Sequence, residues 1–177
     1  MKGNAKKEFY SWLKTIAAAV IIVFICRQYV FAPIKVSGSS MLPTLQDQNK
    51  MVVSKLSKIQ RFDVIVFHAP DADEDYIKRV IGLPGDTVSM KNDVLYVNGH
   101  AYKEPYLKRG NQSQYTGDFS LEELFGTSKV PKGTYFVLGD NRPISKDSRI
   151  IGFIKQSSVI GEAKYRFYPF NEIGVPK

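Results

Sequence analysis

Residues 63–86 read DVIVFHAPDADEDYIKRVIGLPGD, and their pattern decides the fold. Asp63–His68 is a continuous β-branched stretch and reads as a strand. Asp71-Ala72-Asp73-Glu74-Asp75 is acidic but lacks calcium-loop spacing, and reads as a solvated loop. Tyr76–Ile81 is a second strand, closed by the turn signal Gly82-Leu83-Pro84-Gly85. Side chains alternate along a strand, so Lys78 shares a face with Tyr76 and Val80, and Arg79 shares the other with Ile77 and Ile81. Adjacent cations on opposite faces put at least one in an awkward place if both faces are covered. A lysine held against apolar groups loses hydration, and bringing its pKa from ~10.4 to near 7 takes roughly 4–5 kcal/mol. Such a lysine is neutral part of the time and can act as a general base. The competing reading is a surface lysine on an edge strand.

Outward from this stretch the same grammar repeats. Lys50–Ser54, Thr87–Met90, Val94–Val97, Thr134–Leu138 and Val159–Phe167 read as strands. Asn98-Gly99 is a hairpin signal, and Pro131-Lys132-Gly133 is a turn. From Pro33 onward the chain is therefore a mostly antiparallel β domain with little room for long helices. Lys108–Lys129 is polar and weakly patterned, with Gly110, Asn111, Gln112, Ser113 and Gln114. It holds one short helix: Ser120 caps it, Glu123 completes a capping box and Gly126 stops it. Residues 91–129 read as a small subdomain inserted into a core formed by 32–90 and 130–177.

The N-terminal part has another character. Thr15–Cys26 is uninterruptedly apolar but as helix covers only about 18 Å, short of the ~30 Å hydrocarbon core. Phe9 to Phe31 spans about 33 Å. Lys14 and Arg27 can snorkel, and Tyr10, Trp12 and Tyr29 suit the interfacial belts. A cleaved signal peptide competes with this reading. Val30-Phe31-Ala32 would supply small residues at −3 and −1, but Pro33 blocks the geometry. A buried soluble helix is the remaining alternative. Residues 9–31 are read as an uncleaved signal anchor crossing the lipid bilayer once. Residues 1–8, with Lys2, Lys6 and Lys7, stay cytoplasmic by the positive-inside rule, and 32–177 lie outside the cell membrane.

Composition narrows the chemistry. The 177 residues are 44% hydrophobic and 24% charged, enough to bury a core. One cysteine, Cys26, excludes an internal disulfide framework and a Cys-based zinc site, and two histidines are too few for a His-rich metal cage. No metal or organic cofactor is implied. Half of the net +8 charge lies in residues 1–27, and the rest of the chain mixes both signs. No aromatic and basic residues interleave there on one strand face, so nucleic acid is not an expected partner.

Two further clusters carry chemistry. Ser37-Gly38-Ser39-Ser40-Met41-Leu42-Pro43-Thr44 can expose a serine hydroxyl beside backbone N–H groups, as a nucleophile with an oxyanion hole requires, or can be a plain Ser/Gly linker. Gly139-Asp140-Asn141-Arg142-Pro143-Ile144-Ser145-Lys146-Asp147-Ser148-Arg149 is a dense polar corner able to pair internally, or a solvated loop. A Ser-His-Asp triad is the rival mechanism. His68 ends a strand and His100 follows the Asn98-Gly99 turn; neither belongs to a cluster, and neither is expected to be catalytic.

Together the motifs S-M-x-P-T at Ser40–Thr44, Y-I-K-R-V-I-G-L-P-G-D at Tyr76–Asp86 and G-D-N-R-x-x-S-x-D-S-R at Gly139–Arg149, in that order behind an anchor, resemble those of the bacterial type I signal peptidases, specifically the Gram-positive type. The resemblance implies a β catalytic domain with an inserted subdomain and a Ser-Lys dyad, in which Ser40 is the nucleophile, Ser39 is not, and Lys78 is the base. It implies that Ser145 hydrogen-bonds and positions the lysine. Asp147 and Arg149 form an ion pair behind the site, with Asp140 and Arg142 as supporting positions. Ile34, Val36, Leu45, Tyr76 and Ile77 would line shallow pockets for small residues at −1 and −3. The implied partners are secretory preproteins with signal peptides, bound by β-augmentation. This sequence departs from the family at Gly38, where some members carry a Ser or Thr hydroxyl for the oxyanion hole, and at Pro143-Ile144, where polar residues are usual. A related Ser-Lys peptidase that matures one dedicated substrate, or a membrane-anchored β binding module, are the alternatives. Oligomeric state is not legible in the sequence.

Overall fold

The computed structural model describes residues 2–108 and 115–176, with side chains from residue 7 onward; Gly110 to Gln114 of the polar stretch fall outside that range. An N-terminal helix, α1 (Lys2–Ile25), ends in a widened π-type turn over Cys26–Val30. Lys7–Val30 is long and apolar enough to cross a membrane, and none of it is buried against the rest of the chain. The helical segment stops one residue short of the expected boundary. Phe31 already belongs to strand β1 (Phe31–Lys35), where Phe31 pairs with Ser54 and Ala32 with Val53. Pro33 fits because β1 is an edge strand, where no neighbour calls for its missing N–H.

Beyond the helix the protein is antiparallel β structure. The strands are β2 (Lys50–Ser54), β3 (Val64–His68), β4 (Asp75–Gly82), β5 (Val88–Lys91), β6 (Val94–Val97), β7 (His100–Tyr102), β8 (Phe119–Ser120), β9 (Thr134–Leu138), β10 (Ile154–Lys155) and β11 (Val159–Tyr168). A seven-stranded sheet has the order β1-β2-β11-β3-β4-β9-β10, and a four-stranded sheet the order β7-β6-β5-β8. The second sheet begins at Val88, ahead of the boundary expected at 91, because β5 pairs with β6 from Val88↔Val97 onward. Asn98 (φ 53°) and Gly99 (φ 77°) both take the left-handed conformation that a tight hairpin between β6 and β7 demands. The short helix α2 (Leu121–Phe125) carries the capping box: Glu123 N–H donates to Ser120 Oγ, Ser120 N–H donates to the Glu123 carboxylate, and Gly126 follows in αL geometry. A further one-turn helix, α3 (Ser148–Ile151), was not evident in the sequence; Asp147 caps it.

The large sheet is covered on both faces, which is why β3 is continuously apolar. Val64 and Val66 join a core with Met41, Leu45, Met51, Val53 and Ile77. Ile65 and Phe67 join another with Val80, Tyr135, Val137 and Ile154. A third core, with Ile81, Leu95, Phe119 and Phe136, ties the small sheet to the large one. β11 crosses between β2 and β3 at Gly161, where a β-carbon would strike Ser54 O and come within 2.8 Å of Val53 Cγ1. Gly161→Ala is expected to destabilise the domain by about 2 kcal/mol through overpacking, read as a lowered denaturant midpoint for the full chain in detergent; an unchanged midpoint would contradict this packing.

Candidate active site

β4 supplies the first element of the site. β9 pairs with it only from Arg79↔Leu138 onward, so Asp75–Lys78 has β3 on one side and an open backbone edge on the other. Both cations of the strand are buried, each about 4% exposed, as expected for neighbours on the two faces of a covered sheet. They are satisfied very differently. Arg79 is held by Asp140 in a bidentate pair, Nε–Oδ1 2.9 Å and Nη2–Oδ2 2.7 Å, and its guanidinium lies 3.9 Å from the centre of the Tyr106 ring. Lys78 forms no ion pair among the described residues. Its Nζ donates to the Ile77 carbonyl at 3.0 Å, sits 5.1 Å from the Tyr76 ring centre and lies 2.9 Å from Ser40 Oγ. Burial pushes its pKa down to about 8; Asp147 and Glu74 pull weakly the other way.

The turn that carries Ser40 supplies the second element. Met41, about 1% exposed, plugs into the core and fixes Ser40 beside it. Leu45 N–H donates to Met41 O, and the Thr44 hydroxyl donates to Asp140. Gly38 takes φ 84°, and its N–H is already committed to Asp47 Oδ1 at 3.0 Å. The Ser40 N–H has no acceptor among the described residues, which leaves it available to an oxyanion. Ser39 is exposed, and its carbonyl accepts from Asn141 Nδ2.

The loop after β9 supplies the third. Asn141 N–H donates to Ser40 O at 3.0 Å. A β-carbon on Gly139 would collide with Ser145 Oγ and with Ser40 O, so glycine permits this approach. Asp147, fully buried, accepts from Gly139 N–H and forms a two-pronged pair with Arg149, both contacts 2.8 Å. Asp140 and Arg142 do not pair with each other. Arg142, about 1% exposed, pairs with Glu104 and donates to Thr116 at 3.3 Å. Partners as distant in sequence as Glu104, Thr44 and Tyr106 leave no local signal, so they were not anticipated.

Two expectations need correction. Ser145 Oγ is buried but makes no hydrogen bond, to Lys78 or to any other described group; the lysine spends its contacts on Ser40 and Ile77. Leu45 does not line the cleft. It is fully buried in the core under Val36 and Met41, because its N–H closes the turn onto Met41 O. The cleft itself has a volume of about 630 Å³ and is lined by Ile34, Val36, Gly38, Ser40, Tyr76, Ile77 and Lys78, together with Lys35, Glu74, Asp75, Ile144 and Lys146, which were not anticipated. His68 is exposed, 2.7 Å from Asp75 across the strand pair, and His100 is exposed in the small sheet. Among the described residues no three Asp, Glu, Cys or His side chains gather as metal ligands. In the chemistry available here, a buried amine faces a hydroxyl beside a backbone N–H.

Known proteins resemble this chain over most of its length. Residues 9–168 match the family model described as signal peptidase, peptidase S26. Signal peptidase I of Bacillus caldolyticus is 50% identical over 162 residues, covering 87% of this chain and 88% of that protein. Signal peptidase IB of Staphylococcus aureus is 43% identical over 179 residues, covering 94% and 93%. The crystal structure of a signal peptidase I from Enterococcus faecalis, 49% identical, superposes with a TM-score of 0.57 over 60% of this chain and 97% of that one.

The buried pair between Glu104 and Arg142 yields a stability test. Glu104→Gln would leave the guanidinium buried without its countercharge, at an expected cost of about 3 kcal/mol in a denaturant titration. A change below about 0.5 kcal/mol, the size of a surface substitution, would contradict that role.

Proposed function

The chain belongs to the signal peptidase S26 family, and from that premise we propose that it removes N-terminal signal peptides from secreted preproteins by a Ser40–Lys78 dyad. The observation that carries the proposal is the 2.9 Å approach of Lys78 Nζ to Ser40 Oγ, with the amine buried and outside any ion pair among the described residues. Neutral Lys78 takes the Ser40 proton as Oγ attacks the scissile carbonyl. The Ser40 N–H donates to the developing oxyanion. Lys78 then gives the proton to the leaving amine, the C–N bond breaks, and the acyl group remains on Ser40. Water, deprotonated by the same amine, hydrolyses the ester and regenerates the hydroxyl. No imidazole is required, because desolvation does the work that a His-Asp pair does elsewhere.

The substrate is an extended peptide that adds to the open edge at Asp75–Lys78. Ile34, Val36, Tyr76 and Ile77 bound shallow spaces for small side chains at −1 and −3. The helix through Val30 spans the cell membrane once, with the lysine-bearing N-terminus cytoplasmic, and β1 follows it directly, keeping the cleft near the bilayer where a signal peptide is itself held.

Ser40→Ala and Lys78→Ala are each expected to abolish cleavage of a preprotein by the full chain in detergent, while His68→Ala and His100→Ala retain most of it. An active Lys78→Ala enzyme would reject the dyad. Only the neutral amine can accept the proton, so kcat/KM should rise about tenfold per pH unit below pH 8 and level off above it. A rate flat between pH 6 and 9 would show that this amine is not the base.

A further inference from the structure

The loop that follows β9 places one side chain where neither the dyad nor the small-residue pockets use it. Ile144 is 62% exposed and lines the cleft. It is also rigidly tied to the nucleophile. Asn141 donates through its N–H to Ser40 O and through Nδ2 to Ser39 O, and its own carbonyl accepts from Ile144 N–H at 3.2 Å and Ser145 N–H at 3.0 Å. One asparagine thus fixes the distance between Ser40 and the segment bearing Ile144.

Strand alternation then limits which substrate position Ile144 can meet. In an extended peptide whose −1 and −3 side chains point to the floor of the cleft, those at −2 and +1 point to its rim. The direction of the loop chooses between them. Past Ile144 it continues to Lys146, which pairs with Asp71 in the loop leading into β4 and lines the cleft with Glu74 and Tyr76. The segment therefore runs from Ser40 along the Tyr76–Glu74 end of β4; because the −1 and −3 spaces proposed above are bounded by Tyr76 and Ile77, that end takes the acyl half of the peptide and not the leaving amine.

We infer that Ile144 is a specificity-determining residue that contacts the substrate side chain at −2 and favours an aliphatic or aromatic group there over a charged one. This rests on the peptidase reading given above. An exposed aliphatic contact at a rim discriminates less than an enclosed pocket, so the expected preference is modest, about tenfold in kcat/KM.

The test uses the full chain in detergent micelles and peptides with Ala at −1 and −3, comparing Leu with Asp at −2. Wild type is expected to cleave the Leu peptide about tenfold better, Ile144→Asn to reduce that ratio to about twofold or less, and Ile144→Val to restore most of it. Discrimination between Ala and Val at −1 should keep its ratio in all three, which a general loss of active-site order would not allow. A Leu/Asp ratio unmoved by Ile144→Asn overturns the role of Ile144, and so does a change that appears at +1 in place of −2. Failure of every peptide to be cleaved in a Ser40-dependent way overturns the peptidase reading and this inference together.

Discussion

Two cations stand side by side in β4, on opposite faces of a sheet that is covered on both. Keeping both charged without partners inside the protein would be prohibitively costly. The fold resolves the conflict asymmetrically. Arg79 receives both carboxylate oxygens of Asp140 and the face of the Tyr106 ring, while Lys78 receives a carbonyl, an aromatic face and a serine hydroxyl. The amine is drawn down to about 8, because burial disfavours its charged form. The distinctive chemistry of the site follows from this division of neutralisation between adjacent residues.

The asymmetry holds only if three distant segments stay in register. Asp140 grips Arg79 and, through the Thr44 hydroxyl, also the turn that carries Ser40. Asp147 fixes the Gly139 N–H and Arg149; Glu104 reaches across from beyond the small sheet to Arg142. Each is a buried carboxylate with a guanidinium partner, a geometry suited to rigid two-pronged pairing. The small sheet is thus mechanically part of the site: it supports the loop whose Asn141 bonds to Ser40. Gly139 lets these segments meet where any side chain would keep them apart.

Around Ser40 and Lys78 the cleft combines an unfinished sheet edge with an apolar wall. β9 stops pairing where the lysine begins, so the backbone of Asp75–Lys78 remains open to an added strand. The edge strand β1 leads directly from the apolar helix to the opposite lining of the same cleft at Ile34 and Val36. In the proposed reaction, anchor, groove and nucleophile are therefore separated only by short, ordered stretches of chain.

Local structure was legible in the amino-acid order alone. Alternating and continuous apolar runs marked most strands, Asn98-Gly99 marked the hairpin, Ser120 and Glu123 marked the capped helix, and the motifs singled out Ser40, Lys78, Asp147 and Arg149. These signals are short-range because period, turn and cap are properties of neighbouring residues. Pairing over long separations came from the folded arrangement. Asp140 joins Arg79 rather than Arg142, Arg142 joins Glu104, Leu45 is core rather than cleft wall, Ser145 Oγ is buried without a hydrogen bond, and Ile144 faces the groove. A side chain's partner is set by which segments the sheet order brings together, and that order arises from the packing of the whole chain, not from any one stretch of it.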